Sequence, residues 1–381
     1  MKSNPAVLYR MLLCLSFGCL LSAVVTLAAG KSAFFGPLLC VGFLAFALAA
    51  GGYPRLRSWA FMNWLFTAIA VGMTFPNWFI GVGDFKFTRL FVPILQVIMF
   101  CMGTTLGIGD FARVVRLPGG VVMGVLCQFT IMPFLGFGLA RVFGFPPEIG
   151  AGIILVGSVP SGLASTVMVY IAKADVALSV TLTAVTSLLA PIITPFLMQW
   201  LAGEMVRIDT TKLMWDLTKM TVIPVLAGLA YHHATRGRVP WLSRVMPYFS
   251  MIGIIVMTVL TIAIGRDNLL RLGVILIAVC FLHSSGGYLL GYFVCRCLRM
   301  SKTTCRTIAL EVGMQNAGMA SAVAASLNKV ATLGLAPIVF GPVMNISASA
   351  LSNWWRTHPV KPLESVVPPL TLTPTVPAPS V

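Results

Sequence analysis

Charge is what this sequence has least of. Asp, Glu, Lys and Arg make up 9% of its 381 residues, and the carboxylates number 10. A soluble domain needs more polar surface than that to cover its core. Histidines number 4, and no HExxH stretch occurs, so the helical zinc-hydrolase signature is missing. A serine nucleophile with a histidine base fares no better. Ser284 and Ser285 adjoin His283, and adjacent residues do not face one another on a helix. The paired aspartates of an intramembrane protease are absent, since the apolar segments hold one glutamate, Glu311. Short alternating segments of the outer-membrane barrel type are not evident. The chain reads as something other than an enzyme.

What is present is apolar length. Hydrophobic residues make up 58% of the chain, and mean hydropathy is +0.94. Apolar runs of roughly 17–25 residues, enough to cross a bilayer, recur along it. The expected spans are 11–29, 34–52, 58–77, 90–109, 118–138, 147–172, 175–201, 214–231, 246–265, 272–295, 303–328 and 333–354. Turn signals such as "GGYP" at 51–54, "RLPGG" at 116–120 and "GFPPE" at 144–148 separate them. The class is an all-α polytopic membrane protein. Segment 11–29 competes with a cleaved signal peptide, but its apolar run is long for one, which favours a retained helix.

Basic residues outnumber acidic ones, giving a net charge of +16. In this setting they read as loop charges that set orientation, and no nucleic-acid partner is expected. With the N-terminus inside, the outer side holds Lys31, Lys86, Arg89, Arg141, Arg207, Lys212, Arg266, Arg271 and Lys329. Of the 26 basic residues, all others except Lys219, which falls within a span, lie inside. The excess favours both termini in the cytoplasm and an even number of spans. Trp59, Trp78, Trp200, Trp215, Trp241, Trp354 and Trp355 fall near span ends, as interfacial anchors do. The cysteines read as small buried thiols; the Cys295/Cys297 pair is a poor zinc signature. From 359 on the chain is rich in Pro, Thr and Val and reads as a disordered tail.

Two spans carry breakers in mid-membrane. One holds Pro160, Ser161 and Gly162; the other holds Gly313, Gln315, Asn316 and Gly318, with Glu311 just before. Proline removes a backbone donor and glycine leaves helical geometry cheaply. The freed groups cannot face lipid, so such breaks belong against protein or a wet cavity. Gln128 lies 32 residues before Pro160, and His283 lies 32 residues before Gln315. An odd number of spans separates the two units. That is the pattern of an inverted-repeat transporter, with a site where the half-helices meet. A Glu in lipid would be costly, and functional by default.

"EVGMQNAGMA" (311–320) and "GSVPSGLASTVMVYIAKADVALSVTLTAVTSLLAPIITP" (157–195), with "CMGTTLGIGDF" (101–111) and "CQFTIMP" (127–133), resemble the bile acid:sodium symporter family. The resemblance runs from about residue 58 to 355. It implies a ten-helix core of two inverted five-helix repeats (5+5), with panel and core domains and two crossing broken helices. The implied organisation is two additional N-terminal helices in 1–57, a transporter unit over 58–358 with repeats about 58–201 and 214–354, and the tail over 359–381. It also implies two sodium sites. The first would use Ser165, Thr166, Ser179, Thr183 and Glu311. The second would use Gln128, Glu311 and Gln315, with carbonyls of Val312 and Met314. These are the hard oxygen donors that a cation such as sodium takes. Substrate contacts would come from Pro160, Ser161, Gly162, Leu163, Asn316 and Asn345. Two departures stand out: Thr166 replaces the family's usual asparagine, and its PGGT at the first break reads Pro160-Ser161-Gly162-Leu163 here.

The remaining polar residues have plainer expectations. His283 is a hydrogen-bonded structural histidine, Asp175 an N-cap, and Asp110 a cap or loop partner. Lys219 snorkels or pairs with Asp216. The sequon at Asn345 falls inside a span and is set aside. The expected function is sodium-coupled symport of a small or amphipathic organic anion, of bile acid, pantoate or keto-acid type, in a bacterial inner membrane. Sodium is the coupling ion and no cofactor is implied. The alternatives are a non-transporting receptor that keeps the ion sites, and proton-coupled or sodium-independent transport.

Overall fold

The structure is a computed structural model that describes residues 5–30, 32–53, 56–107, 118–235 and 240–360. Asp110, several of the counted loop charges and the tail from 361 lie outside the described residues, as do the side chains of Trp59, Leu163 and Trp241. Among the described residues, eight helical stretches are long and apolar enough to cross a membrane. Among the described residues, strand is confined to a ribbon, Gly81–Val82 (β1) against Phe85–Lys86 (β2). The architecture is all-α and polytopic.

Pro5–Ala28 (α1) and Ser32–Ala50 (α2) form an apolar hairpin. Its turn uses Gly30 at φ 73°, a conformation other side chains disfavour. α2 lies on Arg57–Thr74 (α3), where the Cys40 thiol donates to Thr74 Oγ1 at 3.7 Å. α1 turns Phe17, Leu21 and Val24 outward, each more than 60% exposed. A helix apolar on every side suits lipid, not water, as its surroundings.

Next come Phe91–Thr105 (α4), Pro118–Val142 (α5), Pro147–Ser158 (α6), Leu163–Ile171 (α7) and Val176–Ala202 (α8). Thr210–Leu217 (α9) runs through a π turn, Thr218–Val222, into Ile223–Thr235 (α10). Pro240–Cys297 (α11), Lys302–Gly313 (α12), Ala317–Ser326 (α13) and Leu335–Thr357 (α14) complete the chain. Both expected interruptions are present, between α6 and α7 and between α12 and α13. Asp175 caps α8, accepting from Leu178 N at 3.0 Å. Lys219 lies with its ammonium 5.4 Å from the Trp215 ring centre and makes no ion pair with Asp216.

The two expected spans 246–265 and 272–295 differ from expectation. Helical hydrogen bonding carries through the polar stretch Arg266–Arg271, and both belong to α11. Straight, at 1.5 Å per residue, 58 residues would reach about 87 Å, nearly three times a ~30 Å hydrocarbon core. Gly265 and Cys280 both lie against the adjacent residues Leu335 and Ala336, so the element bends at this join and can supply two membrane crossings. Arg266 and Asn268 hold the join: Arg266 Nε donates to Met73 O at 2.9 Å and Asn268 Nδ2 to Ala331 O at 2.8 Å.

The helices pack as two groups. The first half of α11 lies against α3 and α4, and α4 lies against α10. There Gly103 backs onto the Val225 carbonyl and Gly228 onto the Phe100 carbonyl, so either β-carbon would overlap backbone. Small residues let membrane helices approach this closely. The second half of α11 packs with α12 and α14, while α5, α6 and α8 pack on one another. The second group contains both interrupted helices.

Gly152 on α6 tests how tightly that group is packed. A β-carbon there would overlap Leu333 O, whereas one at Gly138 on α5 meets nothing within 4 Å. Gly152→Ala is expected to cost about 1–3 kcal/mol and lower the thermal unfolding midpoint in detergent. Gly138→Ala is expected to hold or raise it, because alanine is the better helix former by about 1 kcal/mol.

Candidate functional site

The two helix breaks lie against each other. Ser161 and Gln315 form an antiparallel bridge. Asn316 N donates to Pro160 O at 2.9 Å, and Gly162 N to Met314 O at 3.4 Å. Proline, serine and glycine leave residues 159–162 non-helical; Met314 and Gln315 do the same on the other chain segment. Every carbonyl freed this way that is named here finds a protein donor. Thr194 Oγ1 reaches Ser158 O at 2.6 Å, Gln128 Nε2 reaches Val159 O at 2.9 Å, and Ser284 Oγ reaches Gly313 O at 3.0 Å. Unwound backbone at membrane depth requires this.

Glu311, in the last turn of α12, points its carboxylate into the crossing and is 3% exposed. Four hydroxyls donate to it. Ser165 and Ser179 meet Oε1 at 2.6 and 2.5 Å, while Ser161 and Thr183 meet Oε2 at 2.6 and 2.9 Å. Ser165 stands in the first turn of α7; Ser179 and Thr183 are one turn apart on α8. Among the described residues no basic side chain pairs with Glu311. Thr166 stands one bond further out: its Oγ1 lies 3.0 Å from Ser179 Oγ, and with the one Ser179 proton on Glu311, Thr166 is the donor of that bond.

Beside this cluster lies an amide pair. Gln128 Nε2 donates to Gln315 Oε1 at 2.7 Å, and Gln315 Nε2 to Val312 O at 2.5 Å. Gln128 Oε1 is buried with no partner. An unpaired buried carbonyl oxygen costs about 1–3 kcal/mol, so its persistence here is a feature of the site.

On the other side of the crossing, Gly162, Gln315, Asn316 and Asn345 line a cavity of about 80 Å³, walled also by Leu95 and Met257. Asn316 Oδ1 caps α13 through Met319 N at 3.0 Å, and Asn345 Nδ2 donates to Gly341 O at 2.9 Å. That leaves Asn316 Nδ2 and Asn345 Oδ1 for a ligand. The expected substrate set thus divides. Gly162, Asn316 and Asn345 face the cavity, whereas Pro160 offers its carbonyl to Asn316 and Ser161 turns to Glu311. The Leu163 side chain lies outside the described residues.

His283 is structural: its Nε2 lies 2.9 Å from Met132 O and its ring packs edge-on against Phe340. Sequence reasoning missed Thr194 and Ser284, which satisfy the freed carbonyls. Proline three residues before and one residue after it in "APIITP" is the one local hint for Thr194.

Comparison with known proteins adds an independent line. The model of the "Sodium Bile acid symporter family" matches residues 92–273. The Bacillus subtilis "Uncharacterized sodium-dependent transporter YocS" is 36% identical over 293 residues, 77% of this chain and 89% of the relative. The Arabidopsis thaliana "Probable sodium/metabolite cotransporter BASS1, chloroplastic" is 33% identical over 331 residues, 83% of this chain and 82% of its own. The rabbit "Ileal sodium/bile acid cotransporter" is 31% identical over 238 residues, 60% of this chain and 67% of its own.

The hydroxyl ring around Glu311 makes a direct prediction. Ser179→Ala leaves one carboxylate oxygen short of a donor, a loss of about 1.5–3 kcal/mol where the partner is charged. In a Glu311→Gln background the same change is expected to cost less, because the charge it served is gone. Thermal unfolding of the four proteins in sodium-free buffer gives the coupling; additive effects would refute a shared interaction.

Proposed function

The chain belongs to the sodium bile acid symporter family, and on that premise we propose that it is a sodium-coupled symporter of a small or amphipathic organic anion. That it is a multi-pass membrane protein of a sodium-dependent transporter family follows from the matches and the helical spans. The coupling ion, its ligands and the substrate are this proposal's own content.

One observation carries it: a buried carboxylate with no basic partner among the described residues, ringed by hydroxyls. A buried charge needs compensation. A hydroxyl offers one proton and two lone pairs, so each Ser or Thr can donate to Glu311 and still present oxygen to a cation. Glu311, Ser165, Ser179 and Thr183, with Thr166 behind, make an all-oxygen set suited to sodium. A second sodium would sit beside the amide pair, where Gln128 Oε1 is unpaired, with the carbonyls of Val312 and Met314, each already accepting one hydrogen bond, offering further oxygens.

The substrate would take the cavity. No Lys, Arg or His is among its lining residues. An anion there would meet the N-termini of α7 and α13, amide groups and the neighbouring sodium ions, with no ion pair to a basic side chain. Apolar walls would take its carbon skeleton. The antiparallel pairing of Ser161 with Gln315 accords with two segments of opposite direction, as inverted repeats require. The membrane would be a bacterial inner membrane, with both termini inside by the bias of loop charges. Sodium would neutralise Glu311 and order the crossing. The anion would follow, and one helix group would rock against the other.

Purified protein in liposomes is expected to accumulate organic anions only with an inward sodium gradient; equal uptake without sodium would end the coupling claim. Two sodium ions per monovalent anion would move one net charge inward. A negative interior of 100 mV would then add about 2.3 kcal/mol, roughly fiftyfold in the accumulation ratio. Sodium is also expected to raise the thermal midpoint of the wild-type protein and not of Glu311→Ala.

A further inference from the structure

Ser161 occupies a place that neither its sequence neighbourhood nor the expected ligand set assigns to the ion. Its backbone pairs with Gln315 across the crossing. Its side chain is 1% exposed and turns away from the substrate cavity. The hydroxyl lies 2.6 Å from Glu311 Oε2 and 3.3 Å from Thr183 Oγ1. It therefore completes the ring on the Oε2 side, as Ser165 and Ser179 complete it on the Oε1 side. Serine has its two lone pairs left over when it donates to the carboxylate.

Position 161 shows why this matters for this chain. Its φ is not in the left-handed region, so the backbone would tolerate any residue there. A glycine would satisfy the break and the bridge equally well, but would leave Glu311 Oε2 with Thr183 alone. Meanwhile Thr166, the fifth expected ligand, does not reach Glu311 and is held at one remove by Ser179. Ser161 thus brings a further hydroxyl oxygen into direct contact with Glu311.

Resting on the sodium reading above, we propose that Ser161 Oγ is a direct ligand of the cation bound at Glu311, Ser165, Ser179 and Thr183. It adds a hard oxygen on the Oε2 side of that set. Because it belongs to the first break and Glu311 to the second helix pair, the bound ion clasps the two unwound segments together through Ser161.

The test is sodium-dependent thermal stabilisation of the full-length protein, titrated with NaCl at constant ionic strength with choline as the balancing cation. Ser161→Ala and Ser161→Gly are compared with wild type, with lithium and potassium titrated in parallel. Loss of one ligand oxygen is expected to raise the half-saturating sodium concentration roughly three- to tenfold and to alter the lithium-to-sodium preference. Ser161→Cys keeps the shape with a soft donor and is expected to behave as Ser161→Ala for sodium. A Ser161 that only braces Glu311 would lower the sodium-free midpoint and leave the sodium midpoint and ion preference unchanged; that result overturns the proposal. A wild-type protein that shows no sodium stabilisation at all would overturn the sodium reading itself, a distinct outcome.

Discussion

A single buried carboxylate organises the centre of this protein. Glu311 lies where bilayer-depth protein excludes water, and its two oxygens collect hydroxyls from the first break, α7 and α8. Remove the charge and Ser161, Ser165, Ser179 and Thr183 lose the reason for converging. The cost of a charge in such a place is what gives it meaning. Hydroxyls alone stabilise the carboxylate, but they do not cancel its charge. A site built this way is incomplete until a cation or a proton arrives, and that incompleteness is how ion binding can be tied to structure.

The backbone is arranged on the same principle. Unwinding two helices in mid-membrane exposes carbonyls and amides that must be satisfied by protein. The breaks satisfy each other in part, through the Ser161–Gln315 bridge, and draw on Gln128, Thr194 and Ser284 for the rest. Neither break would be stable alone. Their mutual dependence makes the crossing a shared object, so a ligand that tightens one segment tightens the other.

Much of this was legible in the sequence for physical reasons. Proline or glycine beside further polar and small residues announced the two breaks, whereas lone prolines such as Pro133 and Pro191 sit inside continuous helices. The apolar runs give the class outright. Other features were not legible. The polar cluster Arg266-Asp267-Asn268 looks like a loop, because nothing in its composition tells of Met73 and Ala331, the distant carbonyls that hold two of its side chains within a continuing helix. The destination of Ser161 depends on a residue 150 positions away, and pattern reasoning sees only neighbours. Its placement among substrate contacts followed from the family resemblance at the first break, while its hydroxyl bonds to Glu311.

The unbroken α11 has a mechanical consequence. Its first half is packed into one helix group and its second half into the other, so the two groups share a single covalent beam without slack. Any displacement between them must be taken up as bending near residues 266–271. There Arg266 and Asn268 hold the helix to the carbonyls of Met73 and Ala331. A shift of one group against the other would load those two hydrogen bonds before it reached the crossing.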